Sequence, residues 1–311
     1  MRKILLLFLI GMLSLLVACT VSQNNYDDED DDPDNITYNI TNRNITNNNI
    51  AGNTTIVNRT VINTTTIITN TPSDSNRTNS VSTTTLLGAN ISNVTTRNIA
   101  SPLGFLARPN DTRPYPGVVM IHEWWGLNDN IKEMAKILAS EGYSVFAIDL
   151  YGEVTNNMSR AQNLSSQVRA NQDEALAKMQ DAVEFLREEE DATNIGSVGW
   201  CFGGGESLVL SVNEPLDATV IYYGTLINDT RQLERIGGPV LGIFGTNDTS
   251  IPAASVTAFN KTLDDAGIER DIYLYPGVGH AFANPSGANF APTQTRDAWF
   301  KTLRFLEENL K

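Results

Sequence analysis

Gly199-Trp200-Cys201-Phe202-Gly203 restricts the folds open to this chain more than any other stretch. The apolar run Ile195-Gly196-Ser197-Val198 leads into it, and Gly204 and Gly205 with Ser207-Leu208-Val209-Leu210 lead away. The pattern predicts a strand, a tight turn carrying Cys201 and a glycine-rich entry to a helix. Residues without side chains on either side let strand and helix approach while the thiol stays accessible. A cysteine at a helix N-terminus also meets free N–H groups and the positive end of the helix dipole, both of which favour a thiolate. The pentad alone also admits a buried structural cysteine.

Two residues nearer the C-terminus separate a reactive cysteine from a structural one. Asp248 ends the apolar run Ile243-Phe244-Gly245-Thr246-Asn247, and His280, one of only two histidines, comes after Tyr275-Pro276-Gly277-Val278-Gly279. Asp248 either caps the turn before Ile251-Pro252 or orients His280; His280 is either a satisfied loop histidine or a general base. Nucleophile, acid, histidine is the chain order of α/β-hydrolases. Strands are predicted at 118–121, 145–148, 195–198, 218–222, 240–244 and 271–275. They alternate with helical patterns near 129–141, 159–190, 204–213, 253–267 and 293–310. Such alternation implies a mainly parallel twisted sheet with helices on both faces, here an α/β-hydrolase fold preceded by a low-complexity stalk.

With these residues in view, the chain from about residue 99 to the end resembles the dienelactone hydrolase family. The resemblance rests on His122-Glu123-Trp124-Trp125-Gly126-Leu127-Asn128, Asp149-Leu150-Tyr151-Gly152, the cysteine elbow, Tyr222-Tyr223-Gly224, Gly245-Thr246-Asn247-Asp248 and Gly279-His280-Ala281-Phe282-Ala283. It implies that Glu123 pairs with the resting Cys201 thiol and helps form the thiolate when substrate arrives. It also implies two arginines that hold a substrate carboxylate. At the second of these positions this chain has Asn284. For the first, Arg160 is in the better register counted back from the elbow, with Arg169 as the other choice. Loss of one charged clamp should weaken carboxylate binding, which points away from dienelactone itself.

The parts define an expected reaction, the cleavage of a small ester or lactone through an acyl-enzyme on Cys201. The backbone N–H groups of Trp124 and Phe202 would hold the oxyanion, His280 would move protons and Asp248 would fix its tautomer. Trp125, Tyr151 and Tyr223, with Trp124, are expected to line an apolar pocket or to serve as packing. No metal or other cofactor is called for, because two histidines outside an HExxH arrangement do not supply the usual zinc clusters. The competing readings are a non-catalytic cell-surface binding module on an adhesive stalk and a thioesterase or peptidase using the same triad.

The N-terminal third concerns location. Arg2-Lys3 and the apolar run Ile4 to Val17 read as a signal peptide over residues 1–18, too short for a confident membrane span. Leu16-Val17-Ala18-Cys19 resembles a prokaryotic lipoprotein signal, which implies lipidation of Cys19 and a membrane anchor outside the cytoplasm. An ordinary cleaved signal near Ala18 is the alternative. Residues 19–98 read as an acidic, then Asn/Thr-rich linker, or as a strand-rich adhesive module. Nine Asn-x-Ser/Thr triplets fall between Asn35 and Asn93, which suggests a glycosylated stalk and an archaeal source. The formal net charge of −14 argues against nucleic acid and anionic lipid as partners. It leaves a small neutral substrate, and a monomer is expected.

Overall fold

A computed structural model describes residues 82–311. The signal peptide, Cys19, the acidic cluster and most of the Asn/Thr-rich stretch lie outside the described residues. A short helix α1 (Thr83–Leu87) precedes strands β1 (Val94–Ala100), β2 (Leu103–Pro109) and β3 (Gly117–Ile121). Next come helix α2 (Asp129–Ser140), β4 (Ser144–Ile148), helices α3 (Met158–Ala170) and α4 (Gln172–Glu188), β5 (Ile195–Trp200) and α5 (Phe202–Asn213). The chain continues with β6 (Ala218–Tyr222), the single turn α6 (Thr230–Leu233), β7 (Val240–Gly245), α7 (Ala253–Asp265), β8 (Arg270–Tyr275) and α8 (Pro292–Leu310).

The eight strands form one sheet in the order β1-β2-β4-β3-β5-β6-β7-β8. From β4 to β8 every pairing is parallel, while β1 and β2 run antiparallel at one edge. The parallel strands β3 to β7 are buried along their whole length, as strands covered on both faces must be. Each face of the sheet carries its own apolar cluster. One includes Ile131, Leu138, Trp299 and Leu306 from α2 and α8; the other includes Met179, Val183 and Leu186 from α4. The helices present apolar residues at the spacing this requires: Ile131, Met134, Ala135 and Leu138 in α2 are buried, and the Asn128 side chain caps its start by accepting from the Ile131 N–H at 3.1 Å.

Two expectations need correction. The helix predicted over 159–190 is two helices, because Asn171 leaves helical geometry (φ −118°, ψ 49°) and caps the first. The folded domain also begins earlier than residue 99: α1 and β1 belong to it. β1 escaped notice because only Val94 and Ile99 are half-buried and its other five residues face solvent, so it lacks the period-2 pattern that marks a strand. Tertiary partners hold it instead. It pairs with β2 from Val94↔Pro109 to Ala100↔Leu103, and the buried Glu190 accepts from Arg97 at 2.8 Å and Arg108 at 2.7 Å, fastening both hairpin strands to the end of α4.

The sheet order reverses direction at β3, which lies between β4 and β5. In such sheets ligands collect in the crevice at the strands' C-terminal ends at this switch point. Glu123 comes just after β3 and Cys201 just after β5, so the topology brings these two distant stretches of sequence together.

Candidate active site

Cys201 stands between β5 and α5 in a left-handed conformation, φ 55° and ψ −112°. That geometry is costly for a residue with a side chain. It persists because the flanking glycines let surrounding backbone close in. A Cβ on Gly199 would lie 2.0 Å from the Gly203 carbonyl oxygen, and one on Gly203 would lie 2.3 Å from the Ile121 oxygen and 2.5 Å from the His122 oxygen. The Cys201 N–H is tied to the Tyr222 carbonyl at 2.9 Å. Tyr223 (φ 38°) and Ala281 (φ 59°) are also left-handed, so three of the four such non-glycine residues among those described border this spot.

His280 reaches both partners predicted for it. Its Nε2 is 3.0 Å from the Cys201 sulfur and its Nδ1 is 2.8 Å from Asp248 Oδ2. The two alternatives for Asp248 both hold, one on each oxygen: Oδ1 accepts from the Ser250 and Ile251 N–H groups at 2.8 and 2.9 Å, leaving Oδ2 for the imidazole. Burial opposes charge on His280, but hydrogen bonds to Asp248 and Cys201, with their negative charges, outweigh it and raise the imidazole to about 10. Burial likewise works against an ionised Asp248; the hydrogen bond from His280 and the two N–H groups prevail and hold its carboxyl below the usual range. The imidazole is therefore held protonated next to the sulfur. Tyr223 packs edge-on against the His280 ring at 5.3 Å and is 1% exposed, so it supports the imidazole rather than meeting solvent.

The placement of Glu123 differs from the resemblance. Its carboxylate is buried and accepts a short hydrogen bond from the Asn284 amide, while the thiol is held by His280 and not by Glu123. A buried carboxyl needs a donor, and the amide at 284 supplies one. Asn284 is itself fixed, its Oδ1 accepting from the Ser286 N–H at 2.8 Å. Burial pushes Glu123 up to about 7, although the charge of His280 and the Asn284 hydrogen bond pull the other way.

Arg160 is paired with Glu153. It sits in the first turn of α3 and makes two hydrogen bonds to Glu153, at 2.8 and 2.5 Å, on the exposed surface. Arg169, nine residues on and therefore about 13 Å further along the helix, carries its guanidinium over the Phe202 ring at 5.5 Å. Trp124 lies in the loop after β3, and Phe202 opens α5, where the first N–H groups have no partner within the helix. The aromatic expectation divides. Tyr151 packs against His122 (4.6 Å) and Phe202 (5.4 Å), whereas Trp125 lines an open cleft of about 680 Å³ with Asn128, Thr155, Asn156, Asn284 and Ser286.

One residue of the site went unrecognised in the sequence. His122 is fully buried. Its Nδ1 lies 2.6 Å from the Glu123 carbonyl and its Nε2 accepts from the Leu150 N–H at 3.3 Å, which joins the ends of β3 and β4. Burial lowers its pKa, so the ring is neutral and structural, and only its place beside Glu123 hinted at this.

A parallel sheet with a strained nucleophile turn at its switch point and a Cys–His–Asp line across three loops defines an α/β-hydrolase. The profile of the dienelactone hydrolase family matches residues 103–310, and the chain belongs to that family. It is a hydrolase of the ester- and lactone-cleaving kind. A putative carboxymethylenebutenolidase of Saccharolobus solfataricus is 29% identical over 245 residues, covering 65% of this chain and 92% of that protein. Protein usf of Aquifex pyrophilus is 32% identical over 217 residues, covering 67% and 93%. The crystal structure of a putative dienelactone hydrolase from Klebsiella pneumoniae superposes with a TM-score of 0.59 at 24% identity, over 69% of this chain and 99% of that one.

Proposed function

We propose that this protein cleaves small, neutral esters or lactones through a thioester on Cys201, and that it does so outside the cytoplasm. The observation that carries the chemistry is the 3.0 Å approach of His280 Nε2 to the Cys201 sulfur with Asp248 behind the ring at 2.8 Å. The sulfur anion bonds to the ester carbonyl carbon, and the carbonyl electron pair moves onto oxygen, where the Trp124 and Phe202 N–H groups receive it. Collapse breaks the carbon–oxygen bond, and the departing alkoxide takes the Nε2 proton of His280. The now neutral imidazole removes a proton from water, the hydroxide attacks the thioester, and the second collapse returns the sulfur anion, the imidazolium and a carboxylic acid. Asp248 stays ionised throughout and balances the ring's charge.

Neutrality of the substrate rests on what surrounds the centre. Asn284 stands where the resemblance calls for an arginine and is committed to Glu123, Arg160 is paired with Glu153, and no ionisable side chain lines the Trp125 cleft, so that of the two expected clamps only Arg169, over the Phe202 ring, is left beside the elbow. Short-chain p-nitrophenyl esters are therefore expected to be turned over with an initial burst of one p-nitrophenolate per site, and carboxymethylation of Cys201 should end turnover in proportion to its extent. A folded, reduced protein that released no p-nitrophenolate would instead favour a binding role on a stalk.

The location rests on residues 1–98. Export by the N-terminal signal, a lipid on Cys19 and a glycosylated stalk would carry the enzyme on the outer face of the membrane. The full-length protein, expressed in a lipoprotein-processing host, is expected to partition into the Triton X-114 detergent phase. The same partition in Cys19→Ser would reject the anchor.

A further inference from the structure

Beside Glu123 lies a small cavity of about 20 Å³, room on the order of one water molecule. Asn284 and Tyr223 border it together with Glu123, and Trp299 of α8 forms part of the far wall. The remaining side is closed by Thr83 and Leu87 of α1, which are 4% and 8% exposed. Glu123 is the one ionisable carboxyl on that wall; every other lining residue is apolar or neutral at physiological pH. α1 stands outside the stretch matched by the family profile, which begins at residue 103. A five-residue helix has no stability of its own, so its position depends on what holds it. Glu133 of α2 does: its Oε1 accepts from the Ser82 hydroxyl at 2.8 Å, from the Thr84 N–H at 2.8 Å and, closely, from the Thr84 hydroxyl. The Thr83 hydroxyl adds a bond to Asn130 at 3.3 Å.

We propose that α1 is a strap that completes the active-site wall, with Thr83 and Leu87 as positioning residues that keep water away from Glu123. The proposal rests on the reading of Glu123 as part of the thiol site. The groups that face this carboxyl are the His280 imidazole, the Asn284 amide and the Tyr223 ring; α1, α2 and α8 bring no charge to the cavity. Lifting the strap admits water to a carboxyl that burial keeps near 7. Hydrated, it would return toward 4.5, its ordinary value. Glu123 and His280 feel each other's charge, so the ionisation of Glu123 is read out in the reactivity of the thiol that His280 holds.

The test is the pH dependence of Cys201 alkylation by iodoacetamide in the full chain, monitored on the Cys201 peptide by mass spectrometry so that Cys19 does not interfere. This readout needs no turnover. In the wild type an inflection near pH 7 is expected, and Glu123→Gln should remove it. Leu87→Ala and Glu133→Ala, which respectively empty the plug and cut its anchor, should move the inflection down by one pH unit or more. Val183→Ala, in the apolar cluster on the other face of the sheet, should lower the melting temperature without moving it. An inflection that stays near 7 in both folded strap variants, or one that survives Glu123→Gln, overturns the proposal. A shifted inflection in a protein that hydrolyses no ester would support the strap while rejecting the hydrolytic reading.

Discussion

Cys201→Ala is expected to lower ester hydrolysis by on the order of 10³-fold or more, leaving a fold whose melting temperature is unchanged or slightly lowered. The position of the sulfur accounts for the loss: no other nucleophile among the described residues has an imidazole within hydrogen-bond reach and a second partner behind that imidazole. Removing the sulfur leaves only binding and oxyanion stabilisation, and these alone give a small residual rate. The fold should persist, because the left-handed backbone at φ 55° is strained for cysteine and alanine alike; what is lost is the share of His280's tighter hold on its proton that the sulfur supplies. Cys201→Ser should fall between the two. Its hydroxyl needs a base, and with the sulfur anion gone one of the influences that keep His280 charged is gone as well. Steady-state kinetics with p-nitrophenyl acetate, alongside thermal melts of all three proteins, measure this directly. Alanine variant turnover within tenfold of wild type would remove Cys201 from the mechanism.

Asp248→Asn should cost about 10²- to 10⁴-fold in kcat and shift the alkaline side of the pH profile downward. The hydrogen bond from the ring to Asp248 is the foremost of the influences that raise His280 to about 10 against the pull of burial. An amide offers no charge, and it can present its NH₂ to Nδ1 and so select the wrong tautomer. The linkage to stability has a definite sign. Folded His280 holds its proton more tightly than an unfolded histidine near 6.5, so its contribution is complete below about pH 6.5 and is lost as pH rises through about 10. The wild type is therefore expected to lose melting temperature between pH 7 and 10 more steeply than Asp248→Asn. Equal slopes would mean that the imidazole is neutral in the resting protein.

Much of this site is legible in the residues themselves. The Gly199 to Gly203 turn announces its own geometry, since a cysteine held in a left-handed turn needs neighbours without side chains. The order Cys201, Asp248, His280 leaves few arrangements in a parallel sheet. The five fully buried strands β3 to β7 and the long helices are visible because burial writes itself as apolar runs and amphipathic periods. What stays hidden, apart from β2 with its buried residues Gly104 to Ala107, depends on residues with weak local signals. β1 exposes most of its side chains and α1 has five residues, so neither carries a period, and both are held by carboxylates, Glu190 and Glu133, far away in sequence.

Local backbone chemistry and apolar periodicity suffice for the fold class, the strained turn at Cys201 and the line Cys201, His280, Asp248. It takes the packed chain to show that Asn284, rather than the thiol, holds Glu123, that Asp248 serves the turn and the imidazole at once, and that the short helix at the domain's start borders the wall behind Glu123. Those outcomes depend on which side chains of distant segments come within about 3 Å of one another, and hydrogen bonding at that range is a property of the packed chain.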